Sequence, residues 1–74
     1  MNEPTIKNRV KISRIEKSNL TQEELANLVG VTRQTISLIE SGKYNPTIKL
    51  CLMIAKVLNK RVDELFWMEE DEDV

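Results

Sequence analysis

Residues 22–41 constrain the fold of this chain more than any other segment. They read QEELANLVGVTRQTISLIES, and their apolar residues recur at the spacing of an amphipathic helix on both sides of Gly30. Gly30 falls where a first helix must end and the backbone needs a left-handed conformation. The segment therefore predicts two short helices joined by a tight turn. The apolar positions expected to face inward are Leu25, Val29, Val31, Ile36 and Ile39.

Capping residues support both helices. Thr21 and Glu24 form the T-x-x-E capping box of the first helix. The hydroxyl of Thr32 can accept from the free N–H groups that begin the second helix. Ala26 is small enough for a close crossing of the two helices. These signals predict helices at 22–29 and 33–41.

The second helix carries a polar outer face opposite its apolar residues. This is the layout of a helix-turn-helix, whose second helix lies in the major groove of DNA. Arg33 and Gln34 stand in the first turn, where arginine can pair with guanine and glutamine with adenine. Thr35 can meet a phosphate or a thymine methyl, and Leu38 either meets a thymine methyl or packs on neighbouring side-chain stems. The predicted base contacts are Arg33, Gln34, Thr35 and Leu38.

Contacts with the DNA backbone are expected on both sides of this helix. Gln22 lies in the first turn of the first helix, where free N–H groups and the helix dipole attract an anion. Residues 43–45 follow Gly42 as a loop close to the second helix, and the alternative is a solvated loop. Ser37 is short enough to approach the backbone, or a base through water. The predicted backbone contacts are Gln22, Thr32, Ser37, Lys43, Tyr44 and Asn45.

Three further helices are expected, at 6–18, 48–58 and 63–66. Asn45-Pro46 breaks the chain and Thr47 caps the helix at 48–58. The apolar residues of that helix leave mainly Lys49 and Lys56 for water, so it should be the central helix. The sequence does not decide which face of the helix at 6–18 is buried, because Val10 lies nearly opposite Ile12 and Ile15.

Phe66, Trp67 and Met68 form an apolar cluster that a small chain gains little by exposing. The cluster packs back on the core, or pairs as a short strand with the N-terminal residues, or forms part of a two-fold interface with a second copy. Met53 either extends such a dimer surface or is simply an exposed methionine.

The charge of the chain is unevenly distributed. The formal net charge is −1, but five of the twelve acidic side chains lie at 69–73, and all eleven basic side chains precede them. The expected division is a flexible N-terminus at 1–5, a basic DNA-binding domain at 6–68 and an acidic tail at 69–74. The tail is either a solvated end, or it suppresses non-specific DNA binding or contacts a basic partner.

Catalysis has little basis in this composition. The chain has no histidine, a single cysteine and no glycine-rich phosphate loop, so we expect no enzyme activity, metal site, cofactor or small-molecule ligand. Cys51 lies among apolar neighbours and is read as a core residue in a reducing cytoplasm. No apolar run is long enough to span a membrane, and no signal peptide is evident.

Three stretches resemble the Cro/cI-type phage repressors, also called the Xre family. They are TQEELA at 21–26, GVTRQTI at 30–36 and IESGKYNP at 39–46, and the resemblance covers about residues 7–66. It implies an all-α fold, a compact five-helix bundle of the lambda-repressor-like type. In length the chain is similar to the small one-domain regulators of Gram-positive bacteria.

The resemblance also implies a function: sequence-specific binding of double-stranded DNA by a homodimer, usually a repressor. An inverted-repeat operator is expected, because one small helix-turn-helix contacts few bases. Arg14 matches an arginine that pairs in this family with the acid at the position of Glu40, so the resemblance implies an ion pair between Arg14 and Glu40. The dimer interface implied by the resemblance and the apolar pattern comprises Met53, Leu65, Phe66 and Trp67. The alternative function is an antitoxin-like or anti-repressor module whose partner docks on residues 66–74.

Overall fold

The computed structural model describes residues 5–17 and 19–69. Within these ranges the chain forms five helices and two strands around one core. In chain order the elements are β1 (Thr5–Asn8), α1 (Val10–Glu16), α2 (Gln22–Val29), α3 (Arg33–Glu40), α4 (Ile48–Leu58), α5 (Val62–Leu65) and β2 (Phe66–Glu69). The two strands pair antiparallel, so the fold is mostly helical rather than all-α.

The turn between α2 and α3 forms as its capping residues predict. The Thr21 hydroxyl accepts from the Glu24 amide at 3.0 Å, and the Glu24 carboxylate accepts from the Thr21 amide at 2.8 Å. Gly30 ends α2 at a φ of 77°, in the left-handed region. Thr32 caps α3, because its hydroxyl accepts from the Thr35 amide at 3.2 Å. Local sequence therefore fixes both ends of α2 and the start of α3.

The core is built from residues of every helix. The largest fully buried side chains are Leu25, Ile36, Ile39, Ile54, Leu65 and Val10. Val31 was expected to face inward with them but is only half-buried, and it packs against the edge of the core. Each helix thus contributes a narrow apolar stripe, as expected for a domain of this size.

The first helix was predicted at 6–18, and that prediction is wrong at both ends, since α1 spans Val10–Glu16 and Lys17 is its C-cap. α1 begins at Val10, because the Asn8 side chain accepts from the Val10 amide at 3.1 Å and the residues before it form β1. β2 supplies the partner strand, with Ile6 opposite Met68. Strand pairing, one of the alternatives for the C-terminal apolar cluster, is therefore confirmed. Ser18 lies outside the described residues.

Two predicted segment boundaries fall within β1 and β2. Thr5, assigned to a flexible N-terminus, is the first residue of β1, and Glu69, assigned to the acidic tail, is the last residue of β2. Residues 1–4 and 70–74, which complete those two segments, lie outside the described residues. The open choice of buried face in α1 is also resolved, since Val10 is buried while Ile12 and Ile15 are exposed.

α4 has the predicted bounds but not the predicted burial. Ile48 is 77% exposed and Leu52 is 54% exposed, although both were counted among the apolar residues turned away from water. They lie one helical turn apart on an arc that the described core does not cover. α3 and α5 each end one residue earlier than predicted, because Ser41 forms the C-cap of α3 and Phe66 begins β2.

Candidate nucleic-acid interface

α3 presents its polar side to solvent, with its apolar side fixed in the core. Arg33 and Gln34 are exposed in its first turn, and Leu38 is partly exposed one turn later. Thr35 is half-buried, and its hydroxyl lies 3.0 Å from that of Thr32 in a hydrogen bond. The four residues predicted to contact bases therefore lie along one short helix, although Thr35 has the least free surface.

The loop after α3 is tied to that helix. The Lys43 amide donates to the Leu38 carbonyl at 2.9 Å, and the Gly42 amide donates to the Ile39 carbonyl at 3.0 Å. The side chains of Lys43, Tyr44 and Asn45 are exposed. An ammonium group and two further hydrogen-bonding side chains thus stand at the C-terminal end of α3, a combination suited to phosphate oxygens.

Arg14 and Glu40 form a buried ion pair that holds the end of α3. Arg14 Nε lies 2.8 Å from Glu40 Oε2 and Arg14 Nη2 lies 3.2 Å from Glu40 Oε1, a two-point contact. The two side chains are only 9% and 6% exposed. Arg14 Nη1 also donates to the Leu20 carbonyl at 2.8 Å. The pair implied by the family resemblance is present, and it ties α1 to the last turn of α3.

Gln22 is not a free side chain at the start of α2. Its Nε2 donates to Glu40 Oε1 at 2.9 Å, and its Oε1 accepts from Arg33 Nη1 at 3.4 Å. The residue is half-buried. Sequence reasoning placed Gln22 against a phosphate and missed both partners. They lie 11 and 18 residues away in the chain, beyond the reach of local patterns.

Asn8 is a second residue that sequence reasoning missed. Its Nδ2 donates to the Ile39 carbonyl at 2.9 Å, while its Oδ1 accepts from the Val10 amide. β1 is thereby attached to the last turn of α3. With the ion pair, this bond braces the C-terminal half of α3 from two sides.

Comparison with known proteins identifies the family. The helix-turn-helix family model matches residues 10–65 of the chain. The chain belongs to the Xre, or Cro/cI-type, helix-turn-helix family. The boundaries of the match run from the start of α1 to the end of α5, so they coincide with the helical part of the fold.

Relatives of this Xre-type chain include archaeal proteins. An uncharacterised HTH-type transcriptional regulator of Archaeoglobus fulgidus is 52% identical over 56 residues, which are 76% of this chain and 79% of that protein. Another, from Methanocaldococcus jannaschii, is 48% identical over 67 residues, 90% of this chain and 100% of that protein. A crystal structure from Bacteroides fragilis, given as a candidate DNA-binding protein, superposes with a TM-score of 0.75 at 31% identity, over 84% of this chain and 98% of that one.

The Xre-type chain also has an exposed apolar surface, which lies next to the loop that follows α3. We define the apolar face as Ile48, Leu52, Trp67 and Met68, all exposed. Ile48, Trp67 and Met68 line a cleft between α4 and the sheet, together with Ile6 and Phe66. Phe66, predicted in the dimer interface, is half-buried in this cleft and also packs on the core.

Two other residues predicted in the dimer interface lie away from this face. Leu65 is 0% exposed within one chain, so its side chain belongs to the core and not to the exposed surface. Met53 is half-buried against the core and lies beside Val29 and Tyr44. Met53 therefore lies on a different side of α4 from Ile48 and Leu52, the two residues of that helix in the apolar face.

Cys51 lies under the apolar face, on the α4 side of the cleft. Burial raises the pKa of its thiol above the ordinary value, with a smaller opposing effect from a backbone hydrogen bond. Among residues 5–17 and 19–69, no group of histidine, cysteine or acidic side chains is arranged to hold a metal ion. Over the same ranges, no helix has the length and apolar character needed to cross a membrane.

Proposed function

We propose that this chain is a sequence-specific transcription regulator that binds an inverted-repeat operator as a homodimer and acts as a repressor in the cytoplasm. The observation that carries the proposal is the exposure of Arg33 and Gln34 in the first turn of α3. That turn is capped by Thr32, and the other end of the helix is braced by the core. A helix held at both ends, with exposed planar hydrogen-bonding groups in its first turn, fits the major groove.

The base contacts follow from the chemistry of these side chains. The Arg33 guanidinium offers two parallel donors to guanine, and the Gln34 amide pairs with the adenine edge. Leu38, one turn further along, meets a thymine methyl. Thr35, whose hydroxyl is bonded to that of Thr32, offers mainly its methyl group.

The phosphate contacts come from the same side of the molecule. Lys43, Tyr44 and Asn45 reach the DNA backbone from the loop after α3. Ser37 approaches it from α3, and Thr32 approaches it from the N-cap of that helix. Such contacts set the register of the protein on the duplex and carry no sequence information. The hydrogen bond from the Lys43 amide to Leu38 supports this role, because it keeps the loop close to the groove.

A homodimer is supported by the apolar face. A monomer of this size rarely leaves several large apolar side chains exposed together, and a two-fold contact covers the face of both copies at once. Its cleft is also lined by Asn45 and Pro46, in the loop that follows α3. A two-fold axis through this face would therefore bring the loops that follow α3 in the two copies close together, so that the two α3 helices would lie on the same side of the dimer.

Selection of bound duplexes from a random pool tests the proposal. We expect an enriched inverted repeat with half-sites roughly one helical turn apart, and lower transcription from a promoter that carries it. An enriched repeat with raised transcription would contradict the repressor role alone. Failure to enrich any sequence would contradict base reading by α3, and the antitoxin-like alternative, with a protein partner at the C-terminal strand, would then be favoured.

A further inference from the structure

The turn that ends α3 is closed by two main-chain hydrogen bonds. The Gly42 amide donates to the Ile39 carbonyl at 3.0 Å, and the Lys43 amide donates to the Leu38 carbonyl at 2.9 Å. With Gly42 at a φ of 78°, these bonds form the Schellman motif that commonly ends helices. The loop at 43–45, which we assign to the DNA backbone, therefore starts from the last turn of α3.

The corresponding turn after α2 is held in a different way. Gly30 has a φ of 77°, and the Val31 amide donates to the Ala26 carbonyl at 3.0 Å. The Val31 side chain packs against the core. Residues 41–45 are all exposed, so packing of this kind does not hold the turn after α3.

Asn8 holds the turn after α3 from another element. Its Nδ2 donates to the Ile39 carbonyl at 2.9 Å, and that carbonyl also accepts from the Gly42 amide. A carbonyl oxygen has two lone pairs, so both bonds form together. The carbonyl group that closes the turn is thus bonded to β1 as well.

Asn8 is itself fixed by its neighbours. Its Oδ1 accepts from the Val10 amide at 3.1 Å, and the residue lies opposite Phe66 in the sheet. The next main-chain amide, that of Arg9, donates to the Leu65 carbonyl at 2.9 Å. A main-chain amide only donates and a main-chain carbonyl only accepts, so the two partners of the Asn8 side chain admit one orientation of its amide. Asn8 therefore presents a fixed donor to the end of α3.

We propose that Asn8 is a positioning residue for the loop at 43–45, which holds Lys43 where it meets a DNA phosphate. This inference rests on the proposed function, because it assigns how the protein places its backbone contacts. A contact that is held in place before DNA arrives loses less entropy on binding. Since backbone contacts carry no sequence information, the effect of Asn8 should be the same on every duplex.

Asn8→Ser tests the proposal on the selected operator and its single base-pair variants. Serine keeps an oxygen that can accept from the Val10 amide, but its side chain is too short to reach the Ile39 carbonyl. We expect roughly a two- to tenfold loss of affinity for all duplexes, with a smaller slope of log affinity against log salt. Discrimination between bases should stay as in the wild type. Thr5→Ser, at an exposed position of the same strand, is the matched control and should bind as the wild type does.

The double variant with Lys43→Ala shows whether the effect passes through the loop. In the Lys43→Ala background, Asn8→Ser should cost less affinity than it does in the wild type, because the main contact that it positions is absent. A loss that adds in full overturns the inference. A loss of discrimination at the base pair read by Gln34 also overturns it, since Asn8 would then act on α3 as a whole. All affinities are corrected for the folded fraction, which urea denaturation measures.

Amide hydrogen exchange in the free protein separates this inference from the proposed function, because it reports local opening of hydrogen-bonded turns. Asn8→Ser should raise the exchange rates of Gly42 and Lys43 by roughly two- to tenfold, and by more than that of Val31 in the turn after α2. Unchanged rates, or equal increases at the two turns, overturn the positioning role. Faster exchange at Gly42 and Lys43 in a protein that selects no DNA sequence would contradict only the proposed function.

Discussion

The side-chain amide of Asn8 donates a 2.9 Å hydrogen bond to the main-chain carbonyl of Ile39. The side-chain oxygen of Asn8 accepts at the same time from the main-chain amide of Val10, the first residue of α1. One side chain thus starts a helix, fixes the end of a strand and satisfies a carbonyl in the last turn of α3. The geometry of α3 therefore depends on a residue that lies outside the helix-turn-helix.

Asn8→Ala should lower the free energy of unfolding by about 1–3 kcal/mol, because both hydrogen bonds are lost and partly buried groups are left with fewer partners. Urea denaturation followed by circular dichroism measures this. Thr5→Ala, at an exposed position of the same strand, is the control and should change stability by less than about 0.5 kcal/mol. Equal effects of the two substitutions would show that the bond to Ile39 contributes nothing.

Arg14→Met should destabilise the fold by about 3–5 kcal/mol, since it leaves the buried Glu40 carboxylate without its charged partner. The double variant Arg14→Met/Glu40→Met removes both charges and should recover much of that loss. Lys60→Met is a suitable control, because its pair with Glu16 is exposed and 3.9 Å long. A double variant no more stable than Arg14→Met would contradict this account of the ion pair.

Gln34→Ala and Lys43→Ala should affect DNA binding in different ways. Gln34→Ala should cost about 1–3 kcal/mol and relax preference at one base position. Lys43→Ala should weaken binding to all sequences alike and reduce the slope of log affinity against log salt by about 1. Fluorescence anisotropy on the operator and on mismatched duplexes, over a range of salt concentrations, measures both effects. Identical behaviour of the two variants would contradict the division into base and backbone contacts.

Ile48→Lys should weaken the homodimer by roughly 10- to 100-fold, because it places a charge in the apolar face of both copies. Analytical ultracentrifugation across protein concentration measures the dissociation constant. Leu28→Lys is a matched control, since Leu28 is 59% exposed on α2 and does not belong to that face. Dimerisation that survives Ile48→Lys unchanged would place the interface elsewhere on the molecule.

Stability should fall at high pH because of Cys51. Its thiol has a raised pKa in the folded chain, so the unfolded chain releases the proton at a lower pH. This contribution is fully present below the ordinary pKa of 9.0 and is lost as the pH rises from there towards the folded pKa. The stability difference between the wild type and Cys51→Ala should therefore be constant below about pH 8 and shift in favour of the variant above pH 9. A difference independent of pH would contradict the raised pKa.

The helix-turn-helix was predictable because its signals are local. Thr21, Gly30 and Thr32 each act within four residues of their own position, and the bounds of α2 follow from them. The same holds for α4, which Thr47 caps. Capping interactions are short-range, so a pattern in one sequence is enough to place them.

The missed features depend on partners far away in the chain. β1 has only four residues, and it becomes a strand because β2 lies beside it. The exposure of Ile48 and Leu52 depends on which arc of α4 the other elements cover, and apolar character alone does not show that. The contacts of Gln22 likewise need α2 and α3 already folded, and so no local pattern predicts them.

The pairing of β1 with β2 joins residues about sixty positions apart. Closing so long a loop has an entropic cost before the first hydrogen bond of the sheet compensates for it, whereas α2 and α3 meet without any such closure. During synthesis on a ribosome, β1 emerges long before its partner exists. Its edge stays unpaired until the residues of β2 appear.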